Sequence, residues 1–322
     1  MLITLAHIRA AAHRIDGRVV RTPLRYSPWL SAAAGGDVFL KIETLQPTFS
    51  FKIRGAFNAV LTLVEERGSD APALVTASAG NHGQALAHAA GEAGLPLTVY
   101  VPEHAPRVKV DAIRKAGANV EPCRDYDDAE MKAKAHGATG TALFISPYAH
   151  PSVIAGAGTV GLEILEERPD IDAIVVPIGG GGLISGIAIA ASDLPDPGVT
   201  KISVVGVEVE ASSAFTQALA AGRIVTIDVG PTLADGLSGN LDPETVTFDI
   251  VKRLVSSIML IAEPALEQAV GGVAREERLI AEGAGAAGVA AVLSDQKRFA
   301  DRRTAVVLSG ANINLDTLKR LI

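Results

Sequence analysis

The chain has 322 residues, 48% of them hydrophobic and 20% charged, which argues against a disordered protein and leaves room for two domains or one large α/β unit. Net charge is −7 without a dense basic stripe, so nucleic acid and anionic membrane are poor partners. Cys123 stands alone, which rules out an intrachain disulfide and a thiolate metal cluster and points to a reducing compartment, the cytoplasm.

The first 18 residues mix His, Arg and Asp among apolar residues and lack the apolar block of a signal peptide. Leu5, Ile8, Ala12 and Ile15 fall at helical spacing and predict a helix over residues 4–15. Residues 38–42 read as a strand, 44–50 as a loop around Pro47, and 53–66 as a helix. A strand–helix rhythm follows. Strands are expected at 73–77, 97–101, 119–122 and 143–145, with helices at 81–93, 107–116 and 127–137. Gly94, Pro96 and Gly117 supply the stops.

The rhythm restarts with a helix at 154–167, a strand at 173–177, a helix at 183–191 and a strand at 202–208. Helices at 213–221, 247–254, 264–279 and 286–293 precede a last strand at 304–308. Residues 173–191 carry no charge and are long enough to suggest a membrane span, but four glycines in the middle would break such a helix. Strand, turn and helix is the better reading. Low aromatic content with abundant Ala, Gly, Val, Ile and Leu suits helices packed on parallel sheets. Two lobes are expected, with crossings near Pro47 and Pro147: residues 1–47 plus 147–322, and residues 48–146.

Four constellations carry chemistry. In Ser50-Phe51-Lys52-Ile53-Arg54-Gly55-Ala56, a lysine sits between apolar residues where a loop becomes a helix. Withdrawal from water disfavours its charged form, and a neutral amine forms a Schiff base with an aldehyde; the plainer reading is a surface lysine. Ser78-Ala79-Gly80-Asn81-His82-Gly83-Gln84 follows a strand and opens a helix, whose free amides bind anions such as a carboxylate. Ser78 or Asn81 could equally serve as a helix cap, and His82 as a packing residue or a base. Gly179, Gly180, Gly181 and Gly182, followed by Leu183, allow successive N–H groups to converge on a phosphate. A dinucleotide loop is the rival, but Ser185 stands where its last glycine belongs. Ser309-Gly310-Ala311-Asn312 ends the last strand, where open α/β sheets present ligands.

Together and in this order, with Lys41-x-Glu43-x-x-Gln46 and Ala155-Gly156-Ala157-Gly158-Thr159, these motifs resemble the threonine dehydratase and serine racemase group of fold type II pyridoxal phosphate (PLP) enzymes. The likeness runs from about Thr22 to Asn314. It implies a two-domain α/β fold like that of the tryptophan synthase β chain, each domain a twisted, mostly parallel sheet flanked by helices. It further implies that Lys52 carries PLP, Phe51 lies against the ring and Asn81 bonds its phenolic oxygen. The loop of Gly179, Gly180, Gly181 and Gly182 with Leu183 would hold the phosphate. Ser309 would face the pyridine nitrogen, with Gly236 on the ring's other side. Ser78, Ala79, Gly80 and His82 would receive the substrate carboxylate.

Racemases of this kind resemble Ser-Ser-Gly-Asn-His, and the second serine protonates the far face of the carbanion. Ala79 has no proton to give, so elimination is expected over racemisation. The family's divalent-cation site would use Glu208 and an acid six residues on. Ala214 stands there, and although Ser212 or Glu210 could substitute, no metal is expected. The chain ends at Ile322, soon after the Ser309 motif, so no appended regulatory domain and a catabolic role are expected. The implied reaction is dehydration and deamination of a small β-hydroxy amino acid, L-threonine or L-serine, to a 2-oxo acid and ammonia, in a homodimer or homotetramer. A serine racemase, a hydroxyaspartate dehydratase or a β-replacing synthase would share the cofactor. A nicotinamide-dependent dehydrogenase and a catalytically silent PLP-binding protein are the readings from other classes.

Overall fold

A computed structural model describes residues 3–105, 107–193 and 201–322. Among the described residues, ten strands form two sheets: β1 (Leu24–Tyr26), β2 (Asp37–Ile42), β3 (Ala73–Ala77), β4 (Leu97–Pro102), β5 (Asn119–Cys123), β6 (Ala142–Phe144), β7 (Ala173–Pro177), β8 (Ser203–Val209), β9 (Ser257–Ile261) and β10 (Arg303–Leu308). The larger sheet has the order β1-β2-β10-β7-β8-β9, and the smaller β5-β4-β3-β6. Every pairing is parallel except β1 with β2, which sets Leu24 opposite Lys41.

Strand periodicity explains the layers. Successive side chains point to opposite faces. Val38, Leu40, Ile42, Val175, Val205, Val207, Val306 and Leu308 pack into one apolar layer, with helices Glu263–Glu277 and Gly283–Ser294 over it. Their alternates Phe39, Ile174, Val176, Val204, Ala305 and Val307 pack into the other, against helices Pro151–Glu167 and Gly182–Asp193. Both faces are covered, so β7 reads as an unbroken apolar run. Each Val or Ile so buried contributes about 1.5–3 kcal/mol. The smaller sheet is covered by helices Lys52–Arg67, Asn81–Ala93 and Arg107–Lys115 on one side and Tyr126–Ala138 on the other.

The Lys52–Arg67 helix is positioned by close backbone approach. A Cβ on Gly156 would lie 2.5 Å from the Arg54 carbonyl oxygen, and one on Gly55 2.8 Å from that of Val153. The loop before the helix is stitched to the end of β10: Phe51 N–H donates to Ser309 O at 3.0 Å and Ala311 N–H to Phe49 O at 2.8 Å. Phe49 has φ 57°, a conformation that costs a bulky residue about 1–3 kcal/mol, and these bonds hold it there. Among the described residues, no helix is long and apolar enough to cross a membrane. The uncharged run from 173 is strand, turn and helix.

Candidate active site

Lys52 is the first residue of its helix and is half-buried. Its Nζ donates to the Pro147 carbonyl at 2.8 Å and lies 5.2 Å from the centre of the Phe51 ring. Burial pulls its amine down to about 8, against the opposing charge of Glu282. The plainer reading of an exposed surface lysine does not survive this placement.

Tyr148, next to the lysine's carbonyl partner, packs on the glycine turn. A Cβ on Gly180 would lie 2.2 Å from Tyr148 Cγ, and one on Gly182 2.8 Å from the Tyr148 oxygen. Gly181 has φ +85°, and a Cβ there would be 2.6 Å from Phe215; one on Gly179 would be 2.9 Å from the Gly236 oxygen. Side chains cannot fit, so the turn presents bare backbone. Thr247 Oγ1 donates to Gly180 O at 2.8 Å, which turns the N–H of the same trans peptide, that of Gly181, the other way. Among the described residues, no acceptor is paired with the N–H groups of residues 179–183. Such a row of open donors at the start of the Gly182–Asp193 helix suits a phosphate, so the turn fits the cofactor implied by the motifs. Leu183 enters through its N–H, since its side chain is buried in the core.

The loop after β3 forms a neighbouring wall. Gly80 N–H donates to Ser78 Oγ at 3.3 Å, Ala79 is buried, and Gly80 is open: a Cβ there would meet nothing within 4 Å. The His82 ring turns away from this loop, with Nε2 3.3 Å from Ile145 O and Nδ1 without a partner. Burial first, then the Lys52 charge, push its imidazole down to about 3. His82 is therefore neutral and a weak base, and what its segment can offer a carboxylate is the backbone.

Ser309 follows β10, buried at 4% exposure, with Oγ only loosely held 3.5 Å from Ala284 O. Its neighbours connect it to Asn81. Asn312 Nδ2 donates to Asn81 Oδ1 at 2.6 Å, and Asn81 Nδ2 donates to Glu282 Oε1 at 2.6 Å. Gly236 lies across from Gly179, and a Cβ on it would meet Ala284 at 3.2 Å. Glu282 and Tyr148 stand in none of the four constellations, and Asn312 entered only as the last residue of the Ser309 motif. Burial, then the charge of Asp235, raise the Glu282 carboxyl to about 7. An acid just before the Gly/Ala-rich run of residues 283–288 was the available signal, and it reads locally as a helix cap.

Glu208 is committed elsewhere. Its carboxylate accepts from Phe215 N–H at 2.7 Å and from Thr216 N–H and Oγ1 at 2.9 and 2.7 Å, capping the Ala214–Ala221 helix. Among the described residues, no three His, Cys, Asp or Glu side chains gather as a metal site.

The family model for pyridoxal-phosphate dependent enzymes matches residues 15–310. The chain is 40% identical to an L-threonine ammonia-lyase of Thermotoga maritima over 323 residues, covering 100% of this chain and 78% of that one. It is 35% identical to the catabolic L-threonine dehydratase TdcB of Escherichia coli K12, covering 99% and 96%. Maize serine racemase superposes with a TM-score of 0.91 at 34% identity, covering 99% and 97%. With a family model matched over most of its length and full-length relatives at 35–40% identity, this chain belongs to the fold type II PLP-dependent threonine/serine dehydratase family.

Proposed function

We propose that the protein converts L-threonine or L-serine to the 2-oxo acid, ammonia being released. The observation that carries the choice of elimination over racemisation is Ala79: buried, with no exchangeable proton, where a second proton donor would be required. The names of the relatives support threonine. The charges near the cleft support a neutral substrate side chain. Asp235 and Glu282 are acidic, and Lys109 is already engaged by Asp235 at 2.6 Å, so a second carboxylate, as in hydroxyaspartate, would be opposed.

Lys52, Phe51, Asn81, Ser309, Gly236 and the N–H groups of residues 179–183 would hold PLP, which when bound supplies an electron sink for charge at Cα. Lys52 would then be the base that takes the Cα proton, since burial lowers its amine to about 8 and so leaves a neutral fraction available to accept a proton. Ser309 would offer the cofactor's ring nitrogen a neutral hydroxyl rather than a charge, which would weaken the electron sink and favour loss of the β-hydroxyl over reprotonation. The backbone of Ser78, Ala79 and Gly80 orients the carboxylate at the start of the Asn81–Ala93 helix. Loss of water followed by hydrolysis of the enamine balances as amino acid to 2-oxo acid plus ammonia.

A panel of β-hydroxy amino acids, assayed for 2-oxo acid with chiral analysis of residual substrate, tests the reading. Threonine or serine turnover without D-enantiomer, abolished in Lys52→Ala, is expected. Racemisation at a rate matching elimination would overturn it, as would oxo-acid release confined to hydroxyaspartate. We further assign the chain to the cytoplasm, on its single buried thiol, and to a homodimer or homotetramer, on family likeness; light scattering checks the latter.

A further inference from the structure

We propose that Glu282 is a positioning residue: together with Asn312 it locks the Asn81 carboxamide in one orientation, so that the amide's remaining N–H is offered to an acceptor on the cofactor ring. The proposal rests on the cofactor reading and is independent of which amino acid is the substrate.

The orientation follows from a chain of donors anchored on a backbone carbonyl. Asn312 Nδ2 donates to Thr48 O at 3.0 Å, and a carbonyl oxygen only accepts, so the Asn312 NH2 group is identified. The same nitrogen lies 2.6 Å from the Asn81 side chain, which must present its oxygen there. The opposite end of the Asn81 amide is then its NH2 group, 2.6 Å from Glu282 Oε1. Flipping Asn81 would face two oxygens on one side and two NH2 groups on the other. One Asn81 N–H is spent on Glu282, and the other has no acceptor among the described residues.

The three members come from distant parts of the chain, so nothing local holds them in line. Asn81 opens its helix, Glu282 precedes the Gly283–Ser294 helix, and Asn312 follows β10. Gly310 is the point of closest contact: a Cβ there would lie 2.2 Å from Glu282 Oε1 and 3.2 Å from Asn81 Nδ2. Glu282 N–H also donates to Gly310 O at 3.0 Å, which fixes the acid's backbone against the strand end that carries Ser309. Asn81, Lys52 and Lys109 face the carboxyl from the small lobe and Asp235 from the large one, and each bears on its charge. An Oε1 that accepts from Asn81 does so whether or not the acid carries a proton, so a glutamine oxygen can replace it.

The test is PLP titration of the apoenzyme, following cofactor absorbance, for wild type, Glu282→Ala, Glu282→Gln, Asn312→Ala, Asn81→Ala and the Glu282→Ala/Asn81→Ala double variant. Thermal melting of each apoprotein serves as the folding control. Glu282→Ala is expected to weaken PLP binding about tenfold or more, Asn312→Ala similarly, and Glu282→Gln to stay within about threefold of wild type. The double variant should be no weaker than Asn81→Ala alone, because the acid acts only through that amide. Wild-type PLP affinity in Glu282→Ala, or losses that add in the double variant, overturns the proposal. If Glu282→Ala does not fold, Asn312→Ala and Glu282→Gln decide it: normal binding in the first, or a tenfold loss in the second, is the contrary result. Failure of the substrate reading leaves all these affinities untouched.

Discussion

Replacing Arg54 with methionine should cost about 3–5 kcal/mol of stability, because it strips the counter-charge from a buried carboxylate pair. Arg54 is fully buried, two residues after Lys52. It donates to both oxygens of Glu43 at 2.7 and 2.8 Å and to both oxygens of Glu163 at 2.6 and 2.9 Å. Lys41 is the second cation, 2.5 Å from Glu163. Two cations thus neutralise two carboxylates, and the variant leaves one cation for both. Methionine fills most of the volume, so the loss is electrostatic rather than a cavity. Set against a total stability on the order of 5–15 kcal/mol, the loss is large.

The pH dependence gives the sign. Burial alone would raise the Glu43 carboxyl, but Arg54 and then Lys41 hold it below the usual range. Its stabilising contribution is therefore present above the unfolded-state value near about 4.3 and fades as pH falls through the lower folded value. Without Arg54, burial raises the Glu43 carboxyl, and a proton taken up there in the folded state relieves the variant. The difference between the two proteins should thus shrink from about pH 8 to about pH 5. Urea unfolding followed by circular dichroism, at saturating cofactor, measures it. A loss under about 1 kcal/mol, or one that grows on acidification, refutes the reasoning.

Three further outcomes follow from the site. Because burial lowers the Lys52 amine to about 8, its neutral fraction rises through that pH, and so should the rate at which apoenzyme takes up PLP; stopped-flow mixing showing an inflection near 10.5 would place the amine in water. Gly180→Ala drives a Cβ into the Tyr148 ring, so PLP affinity should fall at least about tenfold while Gly94→Ala, far from the cleft, leaves it unchanged; equal affinities by absorbance titration would mean that the turn does not close the cofactor site. Ala79→Ser restores a hydroxyl on the wall after β3 and should yield D-enantiomer from L-serine; chiral chromatography showing none would count against position 79 as the branch point.

Much of the fold was legible because its elements are long and their periods strong. Strands 73–77 and 173–177 and helix 81–93 stand where alternation, apolar runs and Gly94 put them. The antiparallel strand β1, the edge strand β9, and helices Pro28–Ala34 and Leu315–Leu321 escaped notice. Three to seven residues carry too little periodicity to register, and what holds these elements is contact: β1 lies along β2, and the Pro28–Ala34 helix is started by Ser27 Oγ, which accepts from Leu30 N–H.

The order of motifs along the chain was enough to nominate the lysine, the glycine turn and the strand-end serine, since each is a local pattern of backbone freedom or chemical type. Which groups face them was decided only in three dimensions. Glu282 lies 201 residues from Asn81, and Glu163 109 from Arg54, and no local pattern encodes such pairs. The reason is physical: a period or a cap acts over one turn of chain, whereas a buried charge answers to whatever tertiary packing brings beside it.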